Sequence, residues 1–283
     1  MKIAGVVILY NPDEAAVIRN IESYIHFLDS LIVFDNSNCA EEFLKRVKDI
    51  SNKIIFISNA QNEGIAKPLN KALELVAEKY NWLLTMDQDS YFEEKQGKEY
   101  FSGFKQLFYH SLNIAIVCPN HSLPKESVIA DRNYKEVIRA ITSGSIINTK
   151  ICKNLKGFDE KLFIDDVDLE YCYRCVLAGY NIIQFLNIYL KHELGTKKQA
   201  GYFNVFKKSD RSLHSPFRIY FIVRNFLYVL SKYQKLLPEE MKERKKGILV
   251  ILKNNLFFSG RFFQVLLAII RGYLHFKLNK FSS

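Results

Sequence analysis

Asp87 and Asp89 stand two positions apart in the stretch LTMDQDS, directly behind a run of apolar residues. A carboxylate pair at that spacing after a strand can turn hard oxygen ligands toward Mg²⁺ or Mn²⁺ bridging the phosphates of a nucleotide. A short solvated acidic turn is the plain alternative. A second set, Asp165-Asp166-x-Asp168 with Arg174 behind it, is the densest acid cluster in the chain. Carboxylates at a helix N-terminus are favoured by the helix dipole, so capping accounts for part of it. Crowded like charges also raise a carboxyl pKa, which suits a general base that takes a proton from a hydroxyl. In Asn62-Glu63-Gly64-Ile65-Ala66, followed by Asn70, the glycine permits close backbone approach and Asn62 can donate and accept at once. That stretch also reads as an ordinary turn before a helix. His192, in KHELG, follows a strand and precedes a glycine turn; it is structural unless it converges on Asp89.

These groups need a frame. IAGVVILY (3–10) is a nearly continuous apolar run, as expected of a parallel strand buried on both faces. Asn11-Pro12-Asp13 ends it, and Asp13 can cap a helix reaching about residue 28. Further strands are expected at 30–34, 53–58, 82–86, 114–118 and 182–190. Helices are expected at 68–80 and 99–109, and one at 165–177 opened by the acids. Between 137 and 147 a Thr142-Ser143-Gly144-Ser145 turn separates two apolar stretches. Strands alternating with helices imply right-handed crossovers and a mostly parallel α/β sheet, whose ligands bind beyond the carboxyl ends of the strands. Asn11, Asp35-Asn36, residues 59–62 and Asp87 to Asp89 then all gather at that edge.

The chain has 283 residues and a formal charge of +10. From Lys197 onward there are 18 Lys/Arg against 4 Asp/Glu, so the basic excess lies wholly in the last third. A local electrostatic role is implied there, rather than a uniformly basic protein. The five cysteines (Cys39, Cys118, Cys152, Cys172 and Cys175) are odd in number and scattered, and with the apolar strand pattern starting at Ile3 no secretory leader is expected. A reduced, cytoplasmic setting is expected. Cys172-x-x-Cys175 lacks a second pair and a neighbouring His, which argues against metal or redox use.

Eight motifs occur in one order: ILYNP, FDNS, NEGIAKPLNKAL, MDQDS, TSGSIIN, GFDEKLFIDDVDLEYCYR, KHELG and SPFRIYFIVRN. In that order and spacing the chain resembles the inverting family 2 glycosyltransferases, and HSPFRIYFIVRN is most similar to their rhamnosyltransferase branch, which draws on dTDP-rhamnose for bacterial surface polysaccharide. The resemblance covers roughly residues 3 to 228 and implies a GT-A fold. It implies that Tyr10 and Asn11, with Asp35, hold the base and ribose, and that Asn62, Gly64 and Ala66 form the nucleotide-pocket loop beside Asn70. Asp87 and Asp89 match the D-x-D, with Asp89 the direct ligand of Mn²⁺ or Mg²⁺, and His192 matches a histidine that reaches the metal or diphosphate. The base falls in the pair Asp165-Asp166, with Asp166 favoured and Asp165 the alternative. The implied reaction is a single in-line displacement that inverts C1, with no covalent enzyme intermediate.

The expected organisation is a nucleotide-sugar-binding catalytic domain over residues 1–200 and a helical, amphipathic, basic region over 201–283. Lys253, Arg261 and Arg271 interrupt the apolar stretch 247–276, which leaves no run of the roughly 20 residues a membrane span requires. A helix lying in the plane of an anionic lipid surface is expected, with packing on its own domain or on a twin subunit (a homodimer) as the alternative. No groove-reading motif supports nucleic acid. Expected partners are a dTDP- or UDP-sugar donor and a saccharide or lipid-linked acceptor at the inner face of the cell membrane. A UDP-hexose transferase is the nearest competing reading; a D-x-D phosphatase and a non-catalytic membrane-bound scaffold are more distant ones. The phosphatase reading wants its acids after the first strand, whereas these follow the fourth.

Overall fold

Ile3–Leu9, almost wholly buried, forms the strand β1 at the centre of a sheet, as its unbroken apolar run demands. The structure is a computed structural model that describes residues 1–59, 61–108, 113–120, 133–192, 198–200, 209–211 and 213–281. It divides into two compact units, one of residues 1–160 and 167–193, the other of residues 161–166 and 194–283.

In the first unit β1 is followed by α1 (Glu14–Glu22), β2 (Ser30–Asp35), α2 (Glu41–Asp49), β3 (Ile54–Ser58), α3 (Ala66–Val76), β4 (Trp82–Asp87), β5 (Ser90–Tyr91) and α4 (Glu94–Phe108). Then come β6 (Ile114–Asn120), β7 (Tyr134–Glu136), β8 (Ser145–Asn148), α5 (Thr149–Asn154), α6 (Val167–Leu177), β9 (Asn181–Tyr189) and β10 (Lys191–His192). Eight strands make one sheet in the order β3-β2-β1-β4-β8-β6-β9-β7. The β1–β2, β2–β3, β1–β4 and β6–β9 pairs are parallel, while β8 runs antiparallel between β4 and β6. The mixed, mostly parallel α/β sheet expected from the sequence is therefore present, with helices on its faces.

Asp13 caps α1 as its position predicted, accepting from Ala16 N at 3.1 Å. The helix stops at Glu22, and a separate 3₁₀ turn spans Ile25–Phe27. Tyr100 on α4 ties the sheet centre together: its buried hydroxyl donates to the carbonyls of Val117 (2.8 Å) and Gly144 (2.6 Å). The acid-opened helix differs from expectation. It begins at Val167, and Asp165 and Asp166 lie before it with φ of 59° and 63°. Two successive non-glycine residues in the left-handed region cannot form a helical first turn.

In the second unit, the backbones of β11 (Lys198–Ala200) and β12 (Ser209–Arg211) pair antiparallel. Three helices follow: α7 (Pro216–Tyr233), α8 (Pro238–Phe258) and α9 (Phe262–Lys277). Ser215 caps α7, and Pro216 occupies its first turn, where a missing N–H costs nothing. The single in-plane helix expected over 247–276 is instead broken at Gly260, whose φ is +70°. α9 packs Val265, Ala268 and Gly272 against α7; a Cβ at position 272 would lie 2.8 Å from the Tyr220 carbonyl oxygen. Its other face leaves Phe263, Leu267, Ile270 and Leu274 exposed. Among the described residues no helix is long and apolar enough to cross a membrane.

Candidate functional site

The register of the parallel strands sets Leu9 beside Asp35, and Ile8 beside Asp87. The chain therefore leaves β1, β2 and β4 at one level, and the polar residues that follow share one edge of the first unit. Asn11 is left-handed (φ 45°), and its N–H donates to Ser37 Oγ at 3.0 Å. Tyr10 is exposed, and the Gln88 side chain pairs with both its backbone groups, accepting from Tyr10 N (2.8 Å) and donating to Tyr10 O (3.1 Å). The middle residue of D-Q-D thus ties the β4 loop to the β1 loop.

Asp35 is buried at the end of β2. It accepts from Ser37 N and Cys39 N, both at 2.9 Å, and from Ser58 Oγ at 3.2 Å. Burial pulls its pKa upward, but the donors from Ser37, Cys39 and Ser58 outweigh that and hold the carboxyl below its ordinary value. Asn36 organises the next loop. Its amide nitrogen donates to Gly64 O (2.8 Å) and Asn62 Oδ1 (3.1 Å), and its oxygen accepts from Glu63 N (2.9 Å). Gly64 sits at φ 75°, as its place in the turn requires, and its N–H returns to Asn62 Oδ1 at 2.9 Å. Ala66 begins α3 and is buried.

Asn70 lies one turn along α3. Its amide is engaged on both sides, accepting from Phe158 N (2.7 Å) and donating to Phe158 O and Glu160 Oε1 (2.9 Å each). It clamps the strip of chain that precedes the acid cluster.

Asp87 and Asp89 are half-buried where β4 ends, and Asp87 N donates to Ser143 Oγ at 3.2 Å. The expected Thr142-Ser143-Gly144-Ser145 turn is present: Gly144, at φ +77°, donates to Thr85 O at 2.8 Å. Asp168 holds the same turn, accepting from Thr142 N at 3.2 Å. The β5–β10 ladder pairs the backbone of His192 with that of Ser90, the neighbour of Asp89. The side chain of His192 and the residues 193–197 of the glycine turn lie outside the described residues. Among the described residues, no three His, Cys, Asp or Glu side chains converge as a complete metal cage. Two hard carboxylates still match part of the oxygen set of Mg²⁺ or Mn²⁺, ions that commonly take the remainder from substrate phosphates and water. Cys172 and Cys175 are buried and free, and burial pushes the Cys175 thiol up to about 12, so both are inert core thiols.

Asp165 and Asp166 belong to the second unit. Asp165 Oδ1 accepts from Arg218 Nη2 (3.0 Å) and Nε (3.2 Å), while its Oδ2 is buried with no hydrogen-bond partner among the described residues. Asp166 is buried against Arg244 of α8, with Nη2 donating to Oδ1 at 2.5 Å. Burial pushes the Asp166 carboxyl up, the Arg244 guanidinium pulls it down and the Asp165 charge adds to the rise; the net shift is upward. Arg174, which the sequence placed with these acids, serves Glu170 instead, donating from Nε (2.9 Å) and Nη2 (2.7 Å). Sequence reasoning missed Gln88, Asn36 as an organiser, Arg218 and Arg244. Arg218 lay within SPFRIYFIVRN; Arg244 carried no local signal.

Residues 6–106 match the model of the family described as Glycosyl transferase family 2. The chain is 29% identical to dTDP-rhamnosyl transferase RfbF of Shigella flexneri, over 81% of its own length and 80% of the relative's. In fold it is similar to the mannosyltransferase PcManGT of Pyrobaculum calidifontis, solved with GDP-Man and Mn²⁺, with a TM-score of 0.56 and 13% identity over 99% of this chain and 88% of the other. It is also similar to GalNAc-T7 solved with UDP, GalNAc and Mn²⁺, with a TM-score of 0.56 and 11% identity; the match covers 68% of this chain but only 44% of that one.

Proposed function

We propose that the chain is a family 2 glycosyltransferase that uses a nucleotide-sugar donor on its GT-A fold, and that it moves rhamnose from dTDP-rhamnose to a saccharide or lipid-linked saccharide with inversion at C1. The likeness to a dTDP-rhamnosyl transferase supports the donor. The observation that carries the reading is the shared edge of β1, β2 and β4, where Tyr10, Asn11, Asp35, the Asn62–Gly64 loop and Asp87-x-Asp89 come together.

In this reading Tyr10 and Asn11, with Asp35, hold the base and ribose, while Asn62, Gly64 and Ala66 wall the nucleotide. Asp35, held below its ordinary pKa by donors from Ser37, Cys39 and Ser58, fixes the shape of its loop before the ligand arrives. Asp89, with Asp87 and His192 beside it, would hold a divalent cation, which when bound offsets charge on the departing diphosphate. Asp166, the second residue of the acid pair, is the favoured proton acceptor for the attacking hydroxyl, with Asp165 the alternative, and the upward direction of its pKa is in keeping with that role. Residues 1–200 would bind the donor. Residues 201–283 would rest on the inner membrane face through the exposed α9 residues Phe263, Leu267, Ile270 and Leu274, among the basic residues Arg271, Lys277 and Lys280.

The test is the melting shift with dTDP and with UDP, each with and without Mn²⁺. A bound ligand stabilises by RT ln(1 + [L]/Kd). The larger shift is expected with dTDP, with an Mn²⁺-dependent part that Asp89→Ala removes. A larger shift with UDP would transfer the reading to a UDP-hexose donor, and an Mn²⁺-dependent part that survives Asp89→Ala would take Asp89 out of the metal site.

A further inference from the structure

We propose that Arg244, on α8, is a positioning residue for Asp166, so that the basic C-terminal helices complete the base rather than serving only as a surface anchor. The inference rests on the reading of Asp166 as the base.

The loop 161–166 is held from two helices of its own unit. From α7, Arg224 Nη2 donates to Lys161 O at 3.2 Å, and Asn225 Nδ2 donates to Ile164 O at 2.6 Å and to Asp165 O at 3.2 Å. Arg218, also on α7, holds the Asp165 carboxylate. These contacts keep two successive left-handed residues in place, a backbone cost that persists only where surroundings impose it. From α8, Arg244 reaches the Asp166 carboxylate itself. Both side chains of that pair are 7% exposed, and the guanidinium carbon lies 5.7 Å from the Phe226 ring centre. A buried carboxylate without a cation takes up a proton instead of remaining charged. A protonated Asp166 cannot accept the acceptor's proton.

Among the described residues, the charged groups that bear on Asp166 are Arg244 of α8 and its own neighbour Asp165. Beyond Asp165 stand Arg218 of α7 and His214, and Glu240 lies buried one turn before Arg244. Among the described residues Arg244 is the cation that touches Asp166, and it opposes both the burial and the Asp165 charge. The sign follows. A base works above its own pKa, so losing the cation moves the acid limb of the rate profile to higher pH, and on that limb, below the pKa, the rate at a fixed pH falls about tenfold for each unit moved.

The experiment compares wild type with Arg244→Met, Arg244→Lys and Asp166→Asn. Release of dTDP from dTDP-rhamnose with Mn²⁺ is followed across pH. The Asp166 carboxyl is titrated separately by ¹³C NMR, its resonance assigned by its loss in Asp166→Asn. In Arg244→Met the resonance should titrate at higher pH, and kcat on the acid limb of the profile should drop by about tenfold for each unit the resonance moves, with the donor KM unchanged. Arg244→Lys should restore most of the rate. If Arg244→Met does not fold, Arg244→Gln, which keeps a donor but not the charge, carries the same expectation. An Asp166 titration that stays in place in a folded neutral variant overturns the proposal, whatever donor the enzyme takes. An active Asp166→Asn overturns instead the reading of Asp166 as the base; an inactive one, with neither profile moved in Arg244→Met, overturns this inference alone.

Discussion

Asn36 offers a sharp test of how the nucleotide loop is built. Its amide makes three hydrogen bonds, at 2.8, 3.1 and 2.9 Å, to Gly64 O, Asn62 Oδ1 and Glu63 N, and the residue is 2% exposed. Asn36→Ala removes all three. At about 1 kcal/mol net for each, and more where Gly64 O is left buried without a donor, the loop loses about 3 kcal/mol. The loss is local, so it is read best by hydrogen exchange at the Glu63 amide. Since each 1.4 kcal/mol is about a factor of ten, exchange there should quicken on the order of a hundredfold. Asn36→Asp is the control. It keeps an acceptor for Glu63 N but sets a second oxygen against Gly64 O and Asn62 Oδ1, so it should be no better than alanine. Both variants should also weaken the stabilisation by dTDP, because the ligand must then order the loop itself. Unchanged Glu63 exchange in Asn36→Ala, or native protection in Asn36→Asp, would refute this view of the loop.

Gly157 should resist any side chain, because its φ is +66° and an added Cβ would meet the Asn70 amide oxygen head on. Gly157→Ala should therefore cost roughly 1–3 kcal/mol or more in urea unfolding, and a cost near zero would show that the Asn70 clamp yields easily. The exposed α9 face should bind vesicles containing anionic lipid, and Phe263→Ser with Leu267→Ser should release the protein into the supernatant. Equal sedimentation of the double variant would remove this face from the membrane reading.

Much of the central sheet was legible because strands buried on both faces are written as unbroken apolar runs: IAGVVIL, SLIVF and the strand before Asp87 stand where they were expected. α2 was passed over although Phe43, Leu44 and Val47 recur at helical spacing, because the segment is short, only Phe43 and Val47 of its nine residues are buried, and the rest is charged. The acids at 165 and 166 resembled a helix start, since composition cannot report a positive φ. The break at Gly260 was lost in the apolar composition on either side. Within the site, the residues that follow strand ends could be named because topology alone brings them to one edge. The partners of the acids could not. Arg218 and Arg244 lie 53 and 78 residues from Asp165 and Asp166, and pairing across such separations leaves no local pattern. Asn70 shows the converse limit: a side chain placed in the nucleotide loop by motif has its amide committed to Phe158 and Glu160.

The most direct measurement is release of nucleoside diphosphate from a panel of nucleotide sugars with Mn²⁺, run with wild type and Asp166→Asn side by side. The account predicts slow release from dTDP-rhamnose by the wild type, and none by a variant whose melting temperature still rises with dTDP. Release undiminished in Asp166→Asn, or wild-type silence toward every nucleotide sugar alongside cleavage of a phosphomonoester, would contradict it.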